Sequence, residues 1–126
     1  MSLAILKSAA EAASADHDDQ AALKYADRLI EILPGAILHN ERELYNYFTS
    51  ILRYPARLRD YSRVIKYCNV AIPLAEQFPD AARAMNRFEY YSQAGDAYYA
   101  LKKNPEALEN YKKLARLSET DRKSTR

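Results

Sequence analysis

Apolar residues return at three- and four-residue steps along almost the whole chain, the spacing of a helix with one buried face. Leu6, Ala10 and Ala13 show it early, and Tyr91, Ala94 and Tyr98 show it late. Prolines cut the pattern into segments. Pro34-Gly35, Pro55, Pro79 and Pro105 each mark a break, because the residue before a proline is pushed out of the helical region. The pattern predicts six helices, over 3–15, 19–33, 37–54, 58–77, 80–102 and 105–118. Asn104-Pro105-Glu106 forms a helix start: asparagine caps, proline suits the first turn, and glutamate complements the positive end of the dipole. Pro73 falls inside the fourth segment and is expected to kink it by removing one backbone donor. Short connections make successive helices antiparallel neighbours. Polar residues dominate from Ser118 onward, which predicts a single domain over 1–119 and a flexible charged tail over 120–126.

Composition narrows the fold class to all-α. The 126 residues suit one domain, and 48% are hydrophobic, enough for one continuous core. With 2 Gly and 5 Pro there is little turn chemistry for a β fold. Valine occurs only at Val64 and Val70, while helix-favouring Ala, Leu, Glu, Lys and Arg dominate. A formal charge of +2 lacks the basic excess of a dedicated nucleic-acid binder. Cys68 is the single cysteine, so no intrachain disulfide forms and a reduced setting fits. No apolar run is long enough for a membrane span, and residues 1–7 lack the pattern of a secretory leader. A cytoplasmic location is the expectation.

An internal repeat decides how such helices associate. Tyr91-x2-Ala94-Gly95-x2-Tyr98 is followed by Ala107-x3-Tyr111. Gly95 and Ala107 allow two helix backbones to approach closely, and the tyrosines fill the space around that contact. Leu6-x2-Ala9-Ala10-x2-Ala13, then Ala22-x3-Ala26 and Pro34, repeat the spacing more weakly. Gly95 to Ala107 and Ala10 to Ala22 are both separated by 12 positions. A middle unit is read as Tyr45-x2-Phe48-Thr49-x2-Leu52 with Val64-x3-Cys68. That alignment needs three inserted residues near Tyr54-Pro55-Ala56-Arg57. Ala22, Val64 and Ala107 recur at 42 and 43 residues. The units span about 3–36, 37–79 and 80–119, and Glu119 stands where a closing proline is expected.

These motifs resemble the tetratricopeptide repeat family, with lengthened repeats similar to those of kinesin light chains and bacterial peptide-sensing regulators. The resemblance implies an α-solenoid of about three antiparallel helix pairs in a right-handed superhelix. It further implies a non-catalytic module that binds a protein or peptide in a concave groove lined by the first helix of each pair. By position, that groove takes Lys7, Glu11 and Ser14; Asn46, Ser50 and Arg53; and Glu89, Ser92, Asp96 and Tyr99. Some members of the family hold a terminal carboxylate with lysines, asparagines and an arginine. Lys7 and Asn46 echo that clamp, but Glu11 and Asp96 would repel such a ligand. An extended or helical peptide of mixed charge is the better match.

Arg53, Arg57, Arg59, Arg63 and Lys66 cluster with Tyr54, Tyr61 and Tyr67 interleaved and only Asp60 opposing. Arginine and aromatic rings suit RNA, but the near-neutral chain favours a solvated face. Asp16, Asp18 and Asp19 lack the glycine and glutamate of a calcium loop and are read as a helix cap. His17 and His39 fall in turns with no metal-ligand spacing, so no metal and no cofactor are expected. Cys68 is expected to be a buried, inert thiol. No phosphate loop, nucleophile elbow or HExxH motif points to an enzyme. The alternative to a binding module is a structural, oligomerising subunit of a larger complex: the last helix is polar outside, like a terminal cap, whereas the alanine-rich first helix is expected to be the contact of any homo-oligomer.

Overall fold

The computed structural model describes residues 2–78 and 84–124. Six α-helices lie among them: α1 (Leu3–Ala15), α2 (Asp19–Ile32), α3 (Glu41–Arg57), α4 (Tyr61–Glu76), α5 (Ala84–Ala100) and α6 (Asn104–Ser124), with a single 3-10 turn at Leu33–Gly35. The described residues contain no strand. Pro79 and the predicted start of the fifth helix at 80 lie outside the described residues.

Side-chain caps set most helix starts. The Ser2 hydroxyl accepts from the Ile5 N–H at 3.2 Å, Asp18 from Ala21 at 3.0 Å, Asn40 from Glu43 at 2.9 Å and Asp60 from Arg63 at 3.2 Å. Within the acidic run, Asp18 is therefore the cap and Asp19 is the first residue of α2. Asn40 delays α3 to Glu41, four residues later than the pattern predicted, and Ile37 before it is 88% exposed. Asn104 is the first residue of α6 rather than its cap, because the Ala107 N–H already donates to the Lys103 carbonyl.

The same turn closes α1, α3 and α5. His17, Arg59 and Lys102 adopt φ of 60°, 55° and 61°, the left-handed region that ordinarily favours glycine. The N–H of each reaches back three residues, His17 to Ser14, Arg59 to Ala56 and Lys102 to Tyr99. The N–H of the next residue reaches back five, Asp18 to Ala13, Asp60 to Pro55 and Lys103 to Tyr98, each at 2.9 Å. This pair of bonds satisfies the last carbonyls of the helix. The carbonyl of that next residue then accepts the first bond of the following helix, from Ala22, Val64 and Ala107.

These turns correct the register of the middle unit. His17, Arg59 and Lys102 lie 42 and 43 residues apart, as Ala22, Val64 and Ala107 do. Counted back from the turn, Ala10, Leu52 and Gly95 are equivalent. The expected alignment on Thr49 was three residues early, and the three-residue insertion does not exist. Pro55 is equivalent to Ala13 and Tyr98 and is no break: it is buried inside α3, with its carbonyl accepting from Asp60. Pro73 does lie inside α4. At the other end, α6 continues to Ser124, past the predicted end at 118.

Packing runs mainly between helices consecutive in the chain, most extensively between α5 and α6 and between α1 and α2, with α1 also touching α3. One apolar cluster extends from Leu6 in α1 to Ala97 in α5. Across α3 and α5, Tyr90 meets Phe48 edge-on at 4.7 Å between ring centres. Helices α5 and α6 approach closely at Gly95, where a Cβ would stand 2.7 Å from Tyr111 Cε1.

Two consequences are measurable by chemical denaturation. Gly95→Ala should lower stability by roughly 1–2 kcal/mol, since overpacking against the Tyr111 ring outweighs the helix propensity gained. In a Tyr111→Leu background the same change should turn neutral or stabilising. Arg59→Gly should raise stability by about 1 kcal/mol by relieving the left-handed residue.

Candidate functional site

The common turn register defines one face of the first helices. Six positions before the left-handed residue stand Glu11, Arg53 and Asp96, and all three are exposed. The row is carboxylate, guanidinium, carboxylate. Ten positions before it stand Lys7, Thr49 and Ser92; thirteen before it, Ala4, Asn46 and Glu89.

Contacts join this face across α1 and α3. Ser50 is buried, and its hydroxyl donates to Glu11 Oε1 at 3.3 Å. It therefore builds the α1–α3 contact instead of facing solvent. Lys7 Nζ lies 4.0 Å from the same oxygen. Ser14 is half-buried and accepts from Arg57 Nη1 at 3.0 Å. Arg57, expected in the basic patch, thus belongs to this face. Asn46 and Lys7 line a cavity of about 260 Å³ with Ala4, Ser8, Glu43 and Tyr47. Glu43 is committed to His39, whose backbone N–H and Nδ1 lie at 3.0 and 3.1 Å. That backbone bond, first among the causes, lowers the Glu43 pKa below the usual carboxylate value.

Two of the four predicted residues of α5 make side-chain bonds of their own. Asp96 Oδ1 accepts from the Tyr111 hydroxyl of α6 at 2.7 Å, and Glu89 accepts from Gln93 at 3.0 Å within α5. Ser92 is half-buried, and Tyr99 is 67% exposed. Thr49 and Gln93, neither of them predicted, occupy repeat positions of the same face. Stepping back 12 residues from Val64, as from Ala22 and Ala107, gives the register that would have found Thr49, and Gln93 is the equivalent of Ser50, nine before the turn.

The basic run disperses around its helices. Arg63 Nε lies 3.1 and 3.0 Å from the two Asp27 oxygens, and its Nη1 bonds Asp60. The Tyr67 hydroxyl donates to Asp27 at 2.5 Å. These bonds to Asp60 and Asp27 raise the Arg63 pKa further. Arg59 sits in the turn, and Lys66 is exposed. Tyr54 and Tyr67 are fully buried and Tyr61 is half-buried, so the two buried rings cannot stack on bases.

Two larger cavities lie away from this face. One, of about 520 Å³, adjoins Asp27, Arg63, Asp18 and Lys24. The other, of about 470 Å³, lies among α4, α5 and α6, with Tyr91 and Tyr98 in its wall and Lys113 Nζ 5.4 Å from the Tyr91 ring centre. Among the described residues no three His, Cys, Asp or Glu side chains gather as a metal site, and no helix is long and apolar enough to cross a membrane.

Cys68 is fully buried, as expected. Burial, then the charge of Glu89, pushes its thiol up to about 12. Its hydrogen bond to Asp96 pushes Tyr111 up to about 12, and burial raises Tyr67 and Tyr90. Each group binds its proton more tightly folded than unfolded. The stability it contributes is complete below the unfolded pKa and is lost as pH rises towards the folded one. The urea midpoint should therefore hold up to about pH 8, begin to fall as the unfolded thiol titrates, and fall more steeply above about pH 10 as the unfolded tyrosines do. Native Cys68 should resist dithionitrobenzoate at about pH 8 and react rapidly once urea unfolds the chain. Comparison of the chain with protein-family models, with curated proteins and with solved structures found no match.

Proposed function

We propose that the protein is a non-catalytic binding module, a tetratricopeptide-like stack of three helix pairs, which holds an extended peptide of mixed charge across α1, α3 and α5. The observation that carries this reading is the row Glu11, Arg53, Asp96, supported by the bonds Ser50–Glu11 and Arg57–Ser14 that join α1 to α3. An arginine pair on the middle helix between two carboxylates suits an acidic residue flanked by basic ones. Neighbouring helices lie about 10 Å apart and an extended peptide advances about 3.3 Å per residue, so the three charges fall about three residues from one another. The same carboxylates oppose phosphate. With Tyr54 and Tyr67 buried and Arg63 held by Asp27 and Asp60, RNA is the weaker reading.

Selection from a random display library of about twelve-residue peptides tests this. Binders should show an acidic residue with basic residues about three positions to either side. Amide resonances of Thr49 and Arg53 should shift on binding, and Arg53→Glu should weaken the selected peptides about tenfold. Selected peptides without a charge register, indifferent to Arg53→Glu, would sink the assignment.

A further inference from the structure

The turn register exposes a second property, independent of what the α1–α3–α5 face binds. In α3 and α5, certain positions are covered by the preceding helix pair. Tyr90, twelve residues before its left-handed turn residue, is fully buried against Phe48 and Tyr45 of α3. Its equivalent Tyr47 shares a cavity wall with Ala4, Lys7 and Ser8 of α1. The equivalent in α1 is Ile5, and it is 55% exposed. Five residues before the turn, Tyr54 and Ala97 are buried, while Ala12 is exposed. Nine before, Ser50 is buried and Ser8 is exposed. Ile5, Ser8 and Ala12 follow at steps of three and four, so they form one helix face.

The opposite end of the stack shows the complementary pattern. Fourteen residues before the turn, Leu3 and Tyr45 are half-buried and pack on the core. Their equivalent Phe88 is 36% exposed. One residue past Ala22, Val64 and Ala107, Leu23 is buried and Ile65 half-buried, but Leu108 is 53% exposed. Each helix pair therefore has a leading and a trailing face. The chain joins such faces twice internally and leaves one of each uncovered.

We infer that a second copy of this chain covers them, with the leading face of α1 (Ile5, Ser8, Ala12) seated on the trailing face of α5 and α6 (Phe88, Leu108) of its neighbour. In that seat Ile5 takes the place of Tyr90, and Phe88 that of Tyr45. A second copy is the occupant because both halves of the joint are carried on one chain. The joint is heterologous, so each added copy presents a fresh leading and a fresh trailing face, and assembly proceeds head to tail without a closed dimer. Arrays of this kind end only where a terminal face is polar, and Ile5 and Phe88 make neither end so.

Sedimentation velocity and light scattering between about 10 µM and about 1 mM test this. The weight-average mass should climb with concentration past that of a dimer. Ile5→Glu and Phe88→Glu each place a charge on an exposed site, so both should keep the wild-type helix content and melting temperature. Each alone should weaken association by about tenfold or more. An equimolar mixture of the two variants should form a 1:1 dimer and stop there, since one intact joint remains. A wild type that stays monomeric at the top concentration overturns the inference. So does association that ignores Phe88→Glu, which would mean a symmetric contact between two α1 helices.

Discussion

The structure depends on how three helices end. A helix terminus leaves its last carbonyls without partners. Here His17, Arg59 and Lys102 turn into the left-handed region so that two backbone N–H groups can reach back and satisfy them. The residue that completes this bond pair also accepts the first bond of the next helix. Chain reversal, carbonyl satisfaction and helix initiation are thus compressed into adjacent residues, leaving the connection almost no conformational freedom. Non-glycine residues bear the strain in all three turns, which matters because the chain has only 2 glycines. Of these, Gly95 serves close helix packing against Tyr111 and not a turn.

Because the turns fix the count, burial follows position. This explains which parts of the fold were legible in the sequence. The three- and four-residue apolar period gave the helices, and the starts of α1 and α2 were read correctly because Ser2 and Asp18 cap where their chemistry says they should. Pro55 misled. A proline one turn from a helix end sacrifices one donor but leaves its carbonyl free, and here that carbonyl takes the closing bond from Asp60. Treating it as a break displaced the middle unit by three residues, putting Asn46 level with Ser92 when its equivalent is Glu89. The spacing of Ala22, Val64 and Ala107 already carried the correct register. The delayed start of α3 was less accessible, since it depends on Asn40 and Glu43 acting together at residues 39–43.

Tyrosine is the most numerous aromatic residue in this chain, 11 against 3 phenylalanines and no tryptophan, and its geometry shows why it suits contacts between helices. The ring supplies apolar volume, while the hydroxyl reaches a carboxylate on another helix. Tyr67 bonds Asp27 from α4 to α2, Tyr91 bonds Glu76 from α5 to α4, and Tyr111 bonds Asp96 from α6 to α5. Such bonds add direction to contacts that dispersion alone would leave free to slide. Between α3 and α5 an ion pair contributes as well: the almost fully buried Glu41 side chain lies 3.9 Å from Arg87 Nε, and Arg87 Nη2 donates to the Phe78 carbonyl at 2.9 Å. Burying a carboxylate is costly without such partners, and its place in the first turn of α3 also sets it at the positive end of that helix.

The same positional logic changes the meaning of the arginine-rich run from Arg53 to Lys66. In the linear sequence it is a block of like charge with aromatic residues between. On the helices its members separate. Arg53 stands on the shared face of the first helices, and Arg57 bonds Ser14 across it; Arg59 is consumed by the turn, and Arg63 is neutralised by Asp27 and Asp60. Tyr54 and Tyr67 leave the surface altogether. What survives at one place is a pair of arginines with a carboxylate level with Arg53 on either neighbouring helix. Alternating charge of this kind discriminates by pattern rather than by net attraction: a uniformly acidic ligand gains from the centre and loses at both flanks, and a uniformly basic one does the reverse. The register of the three turns brings Glu11, Arg53 and Asp96 level, so in the proposed reading any preference for a mixed sequence would originate in how three helices end rather than in the net charge of the chain.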